Sequence, residues 1–96
     1  MGRTKKTPDA AAGDSFRREV RIRQGYYDLM TQMALSQQVG IPQSTLSKRL
    51  AQPDNFTVSE LRRVVSGIKP DPFVMLSLLG YEAKDIRKAK EGIPNG

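Results

Sequence analysis

The sequence predicts an all-α domain of five or six short helices. Three observations carry that reading. Apolar residues recur at three- and four-residue spacing, as in Leu61, Val64, Val65 and Ile68, which places them on one helical face. Ser, Thr or Asp precedes several of these runs, where a side-chain oxygen can accept from an unpaired first-turn N–H. Gly or Pro punctuates the intervals, at Gly40, Gly67, Pro70 and Gly80. At 96 residues the chain is large enough for one domain with one modest core.

Residues 1–13, MGRTKKTPDAAAG, show no periodicity and are interrupted by Pro8 and Gly13, so a flexible basic arm is expected there. Residues 14–96 form the single domain. Asp14 or Ser15 caps a first helix that starts near Phe16. Phe16, Val20 and either Ile22 or Arg23 define its buried side, with Arg17, Arg18 and Arg21 outward. Gly25 weakens its end. Tyr26 and Tyr27 read as packing residues with wet hydroxyls, because one aromatic pair lacks the repeated pattern of a single-strand binder.

The stretch Thr31–Leu50, TQMALSQQVGIPQSTLSKRL, reads as two short helices and a tight turn. Thr31 suits the N-cap of the first, and Leu35 and Val39, four apart, form its apolar stripe. Gly40 stands where the chain must reverse through positive φ. Ile41 plugs the corner, and Pro42 fits the first helical position of the second helix. Leu46 and Leu50 point inward there. Gln43, Ser44, Ser47 and Lys48 are left on the other side.

After a turn at Pro53-Asp54-Asn55, Thr57-Val58-Ser59-Glu60 is a capping box with Phe56 before it. The helix over 57–67 turns Leu61, Val64, Val65 and Ile68 to the core, and Gly67 ends it. Asp71 caps the next helix, 71–79, with Pro72 as its first residue and Gly80 as its stop. Its FVMLSLL run is apolar nearly all round, so two sides need cover. The last helix, 82–91, offers only Ala83, Ile86 and Ala89, a thin lid; the closing IPNG frays.

The LSQQVGIPQSTLS core of the motif, with Leu35, Val39, Ile41 and Leu46 around Gly40, resembles the helix-turn-helix of phage-repressor proteins of the Cro/CI type, the XRE family. The resemblance includes Gln32 and Gln43, each at the start of a motif helix. The chain departs from the family at Ser36, where Ala is usual, and at Arg49, where a bulky apolar residue is common. The resemblance implies a lambda-repressor-like fold and sequence-specific binding of duplex DNA, with a regulatory role of phage or mobile-element type, such as a repressor. In the best-known phage repressors such a Gln pair cooperates on a phosphate and an adenine. A homodimer is implied through the helix at Phe73, Met75, Leu76 and Leu79.

The residues themselves can carry out that chemistry. An α-helix fits the major groove, and Gln43 can bond an adenine through N6 and N7. Ser44 and Ser47 are short enough to let the backbone approach, and Lys48 can reach a guanine or a phosphate. Thr31 or Gln32 would hold a phosphate at a helix N-terminus. Arg49 and Asn55 are candidates for flanking phosphates, and Arg3, Lys5 and Lys6 of the arm for a groove. The arm's plainer role is a solubilising tail.

Charge and composition point the same way. Sixteen Lys and Arg against ten Asp and Glu leave +6. Residues 16–50 hold +4 of that, and no acidic residue occurs between Asp28 and Asp54. Such a bias favours polyanions without specifying one. With no His and no Cys, the commonest general base, disulfides and zinc or haem ligands are missing. Phosphate-loop motifs are absent too, so no enzyme, cofactor or small-molecule ligand is expected. The start lacks the apolar stretch of a signal peptide and no long apolar run could span a membrane, so a cytoplasmic protein is expected. The rival reading is a protein-interaction module, an antitoxin or adaptor, that uses the apolar helix 73–79.

Overall fold

The computed structural model describes residues 8–90, and every regular element among them is helical. The helices are α1 (Pro8–Tyr26), α2 (Gln32–Val39), α3 (Gln43–Ala51), α4 (Val58–Ile68), α5 (Pro72–Leu78) and α6 (Ala83–Lys90), with a 3-10 turn at Pro53–Asn55 between α3 and α4. The arm residues Arg3, Lys5 and Lys6 and the closing IPNG lie outside the described residues.

The first helix starts earlier than the sequence pattern suggests. Pro8 opens it, which costs no backbone hydrogen bond at a helix start. The three alanines that follow are the strongest helix formers, so residues 8–13 are helix rather than arm. Asp14 is therefore inside the helix, and pairs with Arg17 one turn on.

Phe16 and Val20 are buried, and they meet Leu35 and Val39 of α2, Ile41, Leu46 of α3, Phe56, and Val64 and Ile68 of α4. The Phe16 and Phe56 rings lie edge to face, 5.4 Å apart at 75°, a geometry favoured by the aromatic quadrupole. Ile22 is 57% exposed, so of the two candidates for the inner side it is Arg23 that is half-buried. The inward place goes instead to Glu19, whose carboxylate accepts from Arg23 Nε at 2.8 Å and from the Asp71 backbone N–H at 2.7 Å. That group ties α1 to the entrance of α5. Tyr26 and Tyr27 correct the expectation of packing residues: both are exposed and meet each other edge to face, ring centroids 4.8 Å apart.

α4 carries the capping box in full. Thr57 Oγ1 accepts from the Glu60 N–H at 3.0 Å, and Glu60 Oε1 accepts from the Thr57 N–H at 2.9 Å. Val64 and Ile68 are buried and Leu61 partly so, but Val65 is exposed rather than part of the core. Gly67 does not end the helix either. Its backbone lies against α2, where an added Cβ would stand 2.7 Å from the Gln38 carbonyl oxygen. The helix ends at Lys69, in left-handed backbone at φ 48°.

α5 begins as the sequence suggests, with Asp71 accepting from the Phe73 N–H at 2.8 Å and Pro72 at the first position. It packs chiefly on α1, turning Val74, Met75 and Leu78 to the core. Phe73 and Leu79 stay exposed. α6 packs on α5, with Ala83 facing outward, so Ala83 is no lid; the side chains of Ile86 and Ala89 lie outside the described residues.

Candidate nucleic-acid interface

The motif stretch folds as two helices joined through Gly40, Ile41 and Pro42. Thr31 caps α2, its Oγ1 accepting from the Ala34 N–H at 3.0 Å. Gly40 takes φ 71° and its N–H donates to the Ser36 carbonyl at 2.9 Å. Only a residue without Cβ enters that backbone region cheaply. Ile41, 2% exposed, then fills the corner. Pro42 stands one place before α3 as its cap, and its carbonyl accepts from the Leu46 N–H at 2.8 Å.

Leu46 is buried and Leu50 partly so, which fixes which side of α3 faces the protein. The other side carries Gln43, Ser44, Ser47 and Lys48, all four exposed. Gln43 and Ser47, and Ser44 and Lys48, are one turn apart and share one surface. The geometry brings together the four residues expected to meet bases and leaves them open to solvent.

Two inter-helix ties hold α3, and a third holds its partner α2. Arg49 Nε donates to Glu60 Oε1 at 2.8 Å, which turns Arg49 toward α4 and away from the outer face. Arg49 is thereby a tie between α3 and the α4 capping box, a contact the sequence pattern did not show. Glu60's carboxyl sits below the usual glutamate range, first because of the Arg49 guanidinium and next because of the Thr57 N–H. Arg17 Nη1 donates to the Leu50 and Ala51 carbonyls at 3.2 and 3.4 Å, satisfying acceptors that the α3 C-terminus leaves over. Arg17 is thus not simply one of an outward row. Gln38 Nε2 donates to the Gly67 carbonyl at 2.9 Å and closes α2 onto α4.

Gln32, half-exposed at the start of α2, borders an open cleft of about 400 Å³ between α1, α2 and the end of α3. Arg17, Arg21 and Gln24 of α1 line the same cleft. Gln24 is fixed there by donating to the Leu29 carbonyl at 2.8 Å. Arg21 beside Gln32 is the residue missed by sequence reasoning. The stripe Arg17, Arg21, Gln24, spaced at four and three, is the signal that could have found it. Asn55 is exposed in the 3-10 turn after α3.

The four α5 residues expected at a subunit contact do not share one face. Met75 and Leu79, one turn apart, border a groove with α4. Phe73 lies on a different side, about 160° round the helix from Met75, and Leu76 lies between, about 60° from both Phe73 and Leu79; neither Phe73 nor Leu76 lines that groove.

No helix among the described residues is long and apolar enough to cross a membrane. The chain matches no family model, no curated protein and no solved structure.

Proposed function

We propose that the chain is a non-enzymatic, sequence-specific binder of duplex DNA that regulates transcription in the cytoplasm, in the manner of a small phage-type repressor. The observation that carries this reading is the outer side of α3. Four short or flexible polar residues, Gln43, Ser44, Ser47 and Lys48, are exposed together on a helix of nine residues, the size of element that the major groove admits. The stretch from α2 to the end of α3 carries no acidic side chain.

In this reading Gln43 reads an adenine, and Ser44, Ser47 and Lys48 contact neighbouring base edges. Thr31, Gln32 and Arg21 hold one backbone phosphate beside the α2 N-terminus, and Asn55 another. Arg49 acts indirectly by holding α3 against α4. The helix-turn-helix resemblance supports the same docking. A second copy joined through the Phe73 and Leu76 side of α5 would favour a near-palindromic site with half-sites about 34–36 Å apart.

The test is selection of bound sequences from random duplex, followed by gel shift across a salt series. Affinity should fall linearly on a log–log plot, by roughly 0.9 per phosphate engaged. Gln43→Ala should lose about 1–3 kcal/mol of preference for the selected sequence while keeping the salt-sensitive background. An unchanged preference in Gln43→Ala, or no binding at low salt, overturns the reading.

A further inference from the structure

On the side of the molecule formed by α4 and α5, Val58, Leu61, Val65, Met75 and Leu79 border an open groove of about 540 Å³. Val58 and Leu79 are each 63% exposed. Val58, Leu61 and Val65 follow one another at three and four residues along α4, so the floor is a continuous apolar row. Neither DNA binding by α3 nor the core needs these side chains in water.

The edge of the groove has a definite charge. Arg62, Ser66 and Lys69, again spaced at four and three, run along α4 beside the apolar row. Arg62 and Lys69 are exposed, and neither has an ion-pair partner among the described residues. The nearest acidic groups along the chain are already engaged. Glu60 binds Arg49 and caps α4, and Asp71 caps α5. The groove therefore offers an apolar floor with an uncompensated cationic rim.

We propose that this groove docks an amphipathic helix of another protein, one whose apolar row is flanked by Glu or Asp. Helix-in-groove recognition uses apolar anchors at i, i+3 or i+4 and i+7 for burial, with rim charges setting partner choice. A second copy of this chain fits poorly. Four acidic side chains of α1, α4 and the start of α5 are already engaged: Asp14 by Arg17, Glu19 by Arg23, Glu60 by Arg49, and Asp71 as a cap. α6, AKDIRKAK, is predominantly basic. Self-docking would set cationic rims against cationic helices.

The proposal is tested on the full chain without DNA, using two synthetic peptides of about 18 residues, or five helical turns. Both carry the same Leu row; one has Glu flanks and the other Lys flanks. The Glu-flanked peptide should bind at least about tenfold more tightly, with amide shifts centred on Val58, Val65 and Leu79. Arg62→Glu with Lys69→Glu, both at exposed positions, should reverse the preference, and Val65→Glu should abolish binding. Equal binding of the two peptides, binding by neither, or a preference unmoved by the double charge reversal overturns it. So does sedimentation showing a dimer that Val65→Glu dissolves, since the occupant would then be a second copy.

Discussion

Gly67→Ala should destabilise the fold, although in an isolated helix the same change would help. Replacing Gly by Ala inside a helix gains about 1 kcal/mol from backbone propensity. At Gly67 the new Cβ would stand 2.7 Å from the Gln38 carbonyl oxygen and 3.0 Å from the Val39 Cα. Both belong to the backbone of α2, so neither can swing aside. Separating the helices enough to admit the methyl costs about 1–3 kcal/mol as overpacking, and loss of the Gln38 to Gly67 hydrogen bond costs about 1 more. The net expectation is a loss of about 1–3 kcal/mol. For a domain of this size that lowers Tm by roughly 4–8 °C per kcal/mol. Gly25→Ala is the control, because nothing lies within 4 Å of a Cβ there. It should add about 0.5 kcal/mol of stability through helix propensity and so raise Tm slightly. Thermal unfolding followed by far-UV circular dichroism reads both. A Gly67→Ala protein that melts at or above the parent would refute the close approach of α4 to α2.

Three further expectations rest on particular contacts. Glu19→Ala strips the Asp71 N–H and the Arg23 guanidinium of a shared acceptor, and should cost about 1–3 kcal/mol in urea unfolding; no loss would mean that the α1–α5 tie is dispensable. Phe16→Ala removes a fully buried ring set edge to face against Phe56, with an expected loss of about 3–5 kcal/mol in the same assay. Because Glu60's folded-state pKa is depressed, its contribution is complete above the unfolded glutamate value of about 4.3 and is lost as pH falls through the lower folded value. Glu60→Gln should therefore be less stable than the parent near neutrality and show a shallower decline in acid; parallel stability–pH curves would remove the Arg49 and Thr57 contacts as the cause.

The parts of the fold that were legible in the sequence are those set by short-range chemistry. Thr31, Gly40, Thr57 with Glu60, and Asp71 with Pro72 each act on backbone groups within a few residues, so their type and spacing suffice. The outward set Gln43, Ser44, Ser47 and Lys48 was legible for a related reason. Leu46 and Leu50 orient α3, and the opposite side follows from helical period alone. What the pattern concealed depends on partners far along the chain. Nothing in the local pattern of the first helix marks Glu19 as buried; its second partner, the Asp71 N–H, comes from 52 residues away. Arg49 looked free until α4 supplied Glu60. Gly67 resembled a terminator because glycine serves two ends, positive φ and close approach, and local sequence does not distinguish them. Val65 completed an i, i+4 row on paper, but α5 leaves that edge of α4 uncovered.

The bond from Asp71 back to Glu19 also bears on the order in which the protein is made. The inward side of α1 leaves the ribosome early, whereas the helix that covers it follows after some fifty residues. At synthesis rates of about 5–20 residues per second, that interval lasts roughly 3 to 10 seconds. Throughout it, the Glu19 carboxylate of nascent α1 has Arg23 as its partner but not the Asp71 N–H, and the helix has a bare flank. A chain halted at Lys69 would keep α2, α3 and the polar surface of α3, yet never gain the piece that latches its own beginning.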